Sequence, residues 1–397
     1  MQKSEVKDLT VGSPMKLILS FAVPMLLGFL FQQFYNMMDT IIVGKYLGVT
    51  ALAAVGSTGS INFMIIGFCN GVCSGFAIPV AQKFGEKNES AMRRYVANSG
   101  WLAAVFAVVM TVVVCLLCRN IQTWMRTPED IFDQAYIYIF IIFLGIPATY
   151  LYNMLAGIIR SLGDSTTPLV FLLISSIMNI ILDLFTIIIL KMGVAGAAWA
   201  TVISQYISAA LVLRCLIQTE ADYRLELSKL RVVKHKLCAI IQIGLPAGLQ
   251  GAIFSISNVL IQSSINSFGS VAMAGSTASS NIEGFVYMAM NAFYQATISF
   301  TSQNYGAGKY NRINRILLTG QGCVIVVGVV LGNLAVLFGH QLLHIYSSNP
   351  DVIAAGMVRL HIISATYALC GIMDVMVGAL RGLNYSVLPM VVSLVGA

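Results

Sequence analysis

The chain has 397 residues, of which 58% are hydrophobic and only 10% are charged. Soluble domains carry about 25% charged residues, so this composition excludes a soluble globular protein. The formal net charge of +7 does not indicate nucleic-acid binding, because the basic residues concentrate in polar loops between apolar segments.

The apolar segments, taken in chain order, predict repeated crossings of a membrane. A hydrocarbon core about 30 Å thick needs about 20 apolar residues in helical form. We predict spans at 15–43, 51–80, 93–118, 131–156, 166–190, 193–217, 237–267, 271–300, 314–338 and 352–378, with an eleventh beginning near Ser386. Most of the 23 Lys and Arg residues fall on one side of these spans. The positive-inside rule then predicts a multi-pass protein of the cell membrane with a cytoplasmic N-terminus.

The first predicted span carries a polar stripe that must face protein or water. The stripe consists of Gln32, Tyr35, Asn36 and Asp39, which the helical period places on one face. An ionisable group inside a span costs about 2.5–3.5 kcal/mol, so Asp39 is a candidate functional residue. The same span contains Pro24, which removes a backbone hydrogen bond and predicts a hinge.

The fifth and sixth predicted spans add Asn179, Asp183 and Thr201. Counted from the predicted outer ends, Asp39, Asp183 and Thr201 lie about 7–12 Å below the outer surface, with Asn179 one turn deeper. Two carboxylates, an amide and a hydroxyl at matching depth predict an oxygen-only site for a proton or Na⁺. In a dry pocket the two carboxylates should hold a proton between them near neutral pH, so that protonation acts as a switch. The alternative is that they are hydrogen-bonded packing groups.

Two more acidic residues lie in predicted spans of the second half. Glu283 either attracts a cationic substrate in the cavity or pairs within its own bundle, and the sequence leaves both roles open. Asp374 is expected to form a salt bridge with Arg381. We expect no cofactor, and no metal other than a possible Na⁺ at the oxygen-only site, because the cysteines and histidines lack partner ligands.

An internal repeat divides the chain. Gln-Lys-Phe-Gly at 82–85 is echoed by Gln-Asn-Tyr-Gly at 303–306, and Arg-Ser-Leu at 160–162 by Arg-Gly-Leu at 381–383. Pro246 matches Pro24 and is a second candidate hinge. Both copies enter the membrane from the same side, so the repeat is parallel and its axis lies along the membrane normal.

The repeat predicts an all-α integral membrane fold of two parallel-repeat six-helix bundles. We predict an N-lobe at 1–218, a cytoplasmic inter-lobe loop at 219–236 and a C-lobe at 237–397. The C-lobe is expected to be truncated, with twelve transmembrane helices in the full-length protein and about eleven here. Two such bundles enclose a central cleft that suits alternating access, although a static scaffold or channel is the alternative.

Together these motifs resemble the multidrug and toxic compound extrusion (MATE) family, and particularly its prokaryotic DinF-like branch. The resemblance rests on Pro24, on Gln-Gln-Phe-Tyr-Asn-Met-Met-Asp at 32–39, on the repeated motifs above, and on Asn-Ile-Ile-Leu-Asp at 179–183. It implies a V-shaped pair of lobes in a bacterial cell membrane, exporting amphipathic or cationic drugs or toxic metabolites in exchange for H⁺ or Na⁺. It also implies that Asp39, Asn179, Asp183 and Thr201 form the N-lobe cation site, and that Gln32, Tyr35 and Asn153 line the cavity.

Two rivals to a drug antiporter remain at this point. A flippase for lipid-linked precursors of related fold would need a cationic cavity, and the sequence shows no Lys or Arg cluster within the spans. A membrane enzyme would need a loop rich in carboxylates or histidines, so we expect no enzymatic activity. No Gly-x-x-x-x-Gly-Lys-Ser/Thr phosphate loop occurs, which favours an ion gradient as the driving force. We expect a monomer that contacts small molecules and membrane lipids but no nucleic acid.

Overall fold

The computed structural model describes residues 7–125, 127–218, 232–266 and 268–396. Within these residues the chain forms helices and no strand, which confirms the predicted all-α fold. The helices are α1 (Pro14–Leu47), α2 (Val49–Ser57), α3 (Gly59–Gly85), α4 (Glu89–Trp124), α5 (Glu129–Leu144), α6 (Ile146–Ser161), α7 (Thr166–Leu184), α8 (Val194–Gln218), α9 (Lys234–Asn266), α10 (Ser270–Gly306), α11 (Tyr310–Leu337), α12 (Gly339–Tyr346), α13 (Pro350–Gly382) and α14 (Val387–Gly396). A π-helical turn, Phe185–Ile189, continues α7.

The helices follow the order of the predicted membrane spans, but fewer of them than predicted are apolar enough to count as spans. By length and apolarity, seven helices of the described part can cross a membrane, or up to nine if two bent pairs each count as one span. Helix α10 is long enough at 37 residues but is not among them, since polar residues and Glu283 interrupt its apolar sequence. Large apolar side chains such as Leu116 and Val326 point outward and are exposed, as lipid-facing residues are.

The fourth predicted span, 131–156, differs from the structure. It consists of two helices, α5 and α6, which bend by 42° at Gly145. Pro147, in the first turn of α6, cannot donate a backbone hydrogen bond, and this favours a new helix start at that point. The predicted inter-lobe loop lies outside the described residues at 219–231, and α9 already begins at Lys234.

Local hydrogen bonds fix the start of α7, the helix that carries two of the predicted site residues. Oδ1 of the buried Asp164 accepts hydrogen bonds from the backbone amides of Thr166 and Thr167, at 2.9 and 3.0 Å. Oδ2 of Asp164 accepts a third hydrogen bond from the Thr167 hydroxyl at 2.6 Å. A carboxylate that satisfies the free amides of a first turn anchors that turn, and it therefore sets the register of the helix beyond it.

The two repeats meet through their first helices. α3 of the first half packs against α9 and α10 of the second, and α1 packs against α10. α3 and α9 approach closely, since a Cβ atom on Gly71 would lie 2.5 Å from the carbonyl oxygen of Ala247. Small residues of this kind allow transmembrane helices to approach at backbone distance.

Candidate cation and substrate site

A cavity of about 510 Å³ lies mainly within the first half and is bounded by α10 of the second. Eight of the predicted site and hinge residues line it: Pro24, Gln32, Tyr35, Asn36, Asp39, Asn153, Asn179 and Thr201. Pro246 and Glu283 are not among the lining residues. The polar stripe of α1 therefore faces an internal space, as its spacing predicts.

The two predicted carboxylates of the first half lie together. Asp39 of α1 and Asp183 of α7 are within side-chain hydrogen-bonding reach of one another. Asp39 lines the cavity, whereas Asp183 is fully buried beside it. Asp39 is therefore open to the cavity, whereas Asp183 is separated from it by its neighbours.

Asn179 and Thr201 complete the cluster. Asn179, one turn before Asp183 on α7, donates a hydrogen bond from Nδ2 to Oγ1 of Thr201 on α8, at 3.4 Å. Both side chains are buried, with exposed fractions of 1% and 9%. The amide and the hydroxyl thus lie next to the paired carboxylates.

The cluster has more buried acceptors than donors. Within the described residues, Oδ1 of Asp39, both carboxylate oxygens of Asp183 and Oδ1 of Asn179 are buried without a hydrogen-bond donor. Buried polar atoms are normally satisfied, and an unsatisfied one costs about 1–3 kcal/mol. Protons on the carboxyl groups or one small hard cation would satisfy these oxygens, so the residues fit H⁺ or Na⁺.

A π-helical turn follows Asp183 directly. The Thr186 hydroxyl donates to the carbonyl oxygen of Leu182 at 2.8 Å, within the region where the helix changes from α to π geometry. π-Helical turns are rare and often occur at functional sites. The irregular backbone therefore coincides with the carboxylate pair.

Tyr138 was missed by the sequence analysis. It lies on α5, lines the cavity, and is close enough to interact electrostatically with both Asp39 and Asp183. In the sequence it is one aromatic residue among several in an apolar run. Only the packing of α5 against its neighbours distinguishes Tyr138 from them. The helical periodicity of α5 is the one sequence signal that could have indicated its position.

Glu283 does not have the cavity role that the sequence left open. It accepts two hydrogen bonds from the guanidinium of Arg359, at 3.2 and 3.0 Å, and Arg359 also donates to Ser276 at 2.8 Å. This places Glu283 in an ion pair inside the second bundle, because α10 and α13 bring the two opposite charges together.

The predicted salt bridge between Asp374 and Arg381 does not form among the described residues. Arg381 donates instead to the hydroxyl of Tyr294 and to Oε1 of Gln250. Those two groups accept hydrogen bonds from the two terminal nitrogens of Arg381, which is buried.

The repeated glutamines hold the halves together at the end of the cavity predicted to face the cytoplasm. Nε2 of Gln82 donates to the carbonyl oxygen of Gly382 at 2.9 Å, and Nε2 of Gln303 donates to that of Ser161 at 2.7 Å. These are equivalent bonds in the two repeats, each made from one half to the other. We call Gln82, Ser161, Gln303 and Gly382 the crossed seal.

The N-terminal segment contributes to the crossed seal. The amide of Leu9 donates to Oε1 of Gln303 at 3.1 Å, and Asn304 donates to the carbonyl oxygen of Leu9 at 3.2 Å. The segment before α1 therefore packs across the end of the cavity. In the part of the chain that the structure describes, no cluster of three or more His, Cys, Asp or Glu could hold a metal ion.

Comparison with known proteins connects this geometry to a family. The family model described as MatE matches residues 24–185 and 246–397, one match in each repeat. The probable multidrug resistance protein YoeA of Bacillus subtilis is 29% identical over 94% of this chain and 82% of its own length. A more distant relative, the FAD transporter of Shewanella oneidensis, is 21% identical over 96% of this chain and 84% of its own length.

The fold also matches solved structures. The outward-facing conformation of a multidrug resistance MATE family transporter superposes with a TM-score of 0.92, at 22% identity, covering 99% of this chain and 88% of that one. At this identity the likeness concerns the fold alone. It agrees with the predicted arrangement of two helical repeats.

Proposed function

We propose, because this chain belongs to the MatE family, that it exports amphipathic small molecules in exchange for H⁺ or Na⁺. Membership makes it a multi-span transporter of a multidrug efflux family, not an enzyme. The coupling ion, the antiport mechanism and the position in the cell membrane, as a monomer with a cytoplasmic N-terminus, belong to the proposal.

One observation carries the proposal: the unsatisfied oxygens of Asp39, Asn179 and Asp183 beside the cavity. A cluster without its own donors binds a cation or protons more readily than it stays empty. Asp39 belongs to both the cluster and the cavity wall, so the bound ion and the transported molecule share one residue. Competition at a shared residue is the simplest way to couple inward ion movement to outward substrate movement.

The crossed seal supports the direction of that exchange. It joins the halves at the end that the charge distribution assigns to the cytoplasm. On this proposal, the substrate leaves and the ion enters from the outer side in this state. Protonation or Na⁺ binding at Asp39 and Asp183 would then remove their repulsion before the halves rearrange.

The flippase alternative is less well supported. A pyrophosphate headgroup calls for several basic residues in the cavity. Among the described lining residues, Arg160 is the single basic side chain. The Bacillus subtilis relative, YoeA, is a probable multidrug resistance protein.

The proposal is tested with protein reconstituted in liposomes. Wild type and Asp39→Asn are compared for efflux of ethidium, a fluorescent cationic dye, under imposed pH and Na⁺ gradients. We expect gradient-driven efflux in the wild type and only background leakage in the variant, because an amide cannot release a proton or neutralise Na⁺. The gradient that drives efflux identifies the ion.

Asp351→Asn is the matched control, since Asp351 is exposed in the first turn of α13 and lies outside the cavity. It should transport like the wild type. Efflux that ignores both gradients and persists in Asp39→Asn would contradict the antiport mechanism and favour the flippase.

A further inference from the structure

We propose that the inner end of the cavity binds an anionic group of the transported molecule, a carboxylate or a phosphate, and that Arg160 is its ligand. The inference rests on the proposed function, because it concerns the substrate of the same cavity. It differs from the expectation that the substrates are cationic. The argument begins with a difference between the two repeats.

Arg160 and Arg381 occupy the same position in the two halves, at the end of α6 and of α13. The guanidinium of Arg381 is buried and donates to Tyr294 and Gln250. In the repeat, Tyr294 corresponds to Cys73, 221 residues earlier, and Gln250 corresponds to Gly28, 222 residues earlier. At these positions the first half therefore has the thiol of Cys73 and a glycine without a side chain. The second half has the phenol of Tyr294 and the amide of Gln250.

Arg160 is left without the partners that its counterpart has. Within the described residues it forms no side-chain hydrogen bond or ion pair, and it lines the cavity. Gly28 and Cys73 line the same cavity, so the open space extends into the region where the missing partners would lie. A guanidinium has five donors that match the planar geometry of a carboxylate or phosphate. It is therefore available to a ligand.

A second observation points to a ligand at this end. Ser302 of α10 lines the cavity, is fully buried, and its Oγ has no hydrogen-bond partner within the described residues. Its neighbour Gln303 donates to the carbonyl oxygen of Ser161, the residue after Arg160. Ser302 and Arg160 thus approach the same end from the two halves, with one hydroxyl and one guanidinium unoccupied.

The charged residues of the cavity wall suit a bound molecule that carries a charge on the part lying at the inner end of the cavity. Asp39 and Arg160 are the two charged side chains among the described lining residues. Along α7, the distance from Ser165, near Arg160 in the chain, to Asn179, near Asp39, is about 21 Å at 1.5 Å per residue. Opposite charges toward the two ends of the cavity favour an amphipathic anion or zwitterion whose anionic group lies toward the crossed seal.

Direct binding tests the inference without any ion gradient. The probes are dansylglycine, a fluorescent carboxylate, and dansylglycinamide, its neutral amide, titrated into purified protein in neutral detergent. Wild type should bind the carboxylate more tightly than the amide. Arg160→Gln should weaken carboxylate binding about tenfold or more and leave amide binding nearly unchanged, because one charge-assisted contact is lost. Arg160→Lys should restore part of the preference.

Two further variants make the result specific. Arg214→Gln removes one exposed positive charge from α8 and should change neither affinity. Gly28→Gln supplies the amide that Gln250 offers in the other half, and its Cβ would meet only ordinary contacts, 3.5 Å from Leu169 and 3.8 Å from Leu172. It should also weaken carboxylate binding, by occupying Arg160 from within the protein.

The source of the anion is distinguished by competition. Displacement of dansylglycine by phosphatidylglycerol, but not by inorganic phosphate, would assign the site to a lipid headgroup, and the reverse to a soluble anion. Equal loss of both probes in Arg160→Gln, or no carboxylate preference in the wild type, would overturn the inference. Neither result would affect the gradient-driven efflux on which the proposed function depends.

Discussion

Buried charged side chains of this protein differ in whether they have partners. Glu283 is satisfied, since Arg359 donates two hydrogen bonds to it and only 5% of the Glu283 side chain is exposed. Oδ1 of Asp39 and both carboxylate oxygens of Asp183 have no hydrogen-bond donor among the described residues. Satisfied charges stabilise one structure, whereas unsatisfied ones are available for an ion, so partners distinguish structural from functional carboxylates.

The Glu283 ion pair leads to a prediction about stability. Glu283→Gln should lower the thermal unfolding midpoint in detergent by about 3–6 °C, because the partly buried Arg359 keeps its charge and loses its counter-ion. Probe binding in the cavity should not change, since Glu283 does not line it. A scanning fluorimetry trace measures the first effect and dansylglycinamide titration the second. Weakened binding with unchanged stability would instead support a cavity role.

Sequence reasoning at this scale succeeded where position along one helix was sufficient. The stripe at Gln32, Asn36 and Asp39 follows from helical spacing, and counting depth brings Asp39 and Asp183 together. It could not find Tyr138 or decide between the two roles left open for Glu283, because both depend on which helices pack side by side. Arg160 was recognised as part of a repeat motif. Its lack of hydrogen-bond partners could not be predicted, because it depends on Cys73 and Gly28 lying where the other half has Tyr294 and Gln250.

Among the helices, α1 combines the ion site with a backbone irregularity. Pro24 lies within α1, lines the cavity, and leaves the carbonyl oxygen four residues earlier without its helical donor. Asp39 lies on the same helix about four turns later. A bend at Pro24 would therefore move Asp39, the residue proposed to bind the ion.

The two prolines provide a matched pair for testing this hinge. Pro24→Ala should slow gradient-driven efflux at least severalfold, because a regular helix resists bending. Pro246→Ala, the equivalent change in α9, should have a smaller effect, since α9 carries Leu260 and Ile261 at the positions that match Asp39. Initial rates of dye efflux measure both. A normal rate in Pro24→Ala would exclude hinge bending at this residue.

Element boundaries show why apolar runs alone were insufficient. The run at 131–156 is continuous in composition, yet Gly145 and Pro147 divide it into two helices. The π-helical turn after Asp183 left no trace in the hydrophobic pattern either. Composition predicts that a segment lies in the membrane, but single residues and tertiary packing decide where its backbone departs from a regular helix.

At the scale of the molecule, the two repeats are equivalent in one feature and different in another. The crossed seal is symmetric, with equivalent bonds from Gln82 and Gln303, whereas the ion cluster occurs on the described residues of the first half only. The internal similarity of the sequence predicted two halves. It did not reveal that the repeated glutamines bond across them, because sequence spacing contains no information about which repeat a side chain contacts.

Glycines at the crossed seal allow a further prediction. A Cβ atom on Gly85 would collide with the backbone of Gln303, and one on Gly306 with that of Gln82. Gly85→Ala should therefore open this end, and backbone amides at 303–309 should exchange hydrogen for deuterium faster than in the wild type. Mass spectrometry of the exchanged peptides measures the change.

Gly100→Ala is the control, because a Cβ there would meet no atom within 4 Å and alanine favours a helix. Its exchange should be unchanged or slower. Equal protection of 303–309 in Gly85→Ala would show that the backbones can separate slightly without breaking the seal.

The strength of the crossed seal also sets an energy scale for each transport cycle. Gln82 and Gln303 take part in four hydrogen bonds of 2.7–3.1 Å, with Gly382, Asn384, Ser161 and Leu9. At a net 0.5–1.5 kcal/mol each, they amount to about 2–6 kcal/mol. One elementary charge crossing 100 mV releases about 2.3 kcal/mol. Under the proposed ion exchange, the crossed seal is therefore strong enough to hold against thermal motion, yet weak enough for one or two ions per turnover to release it.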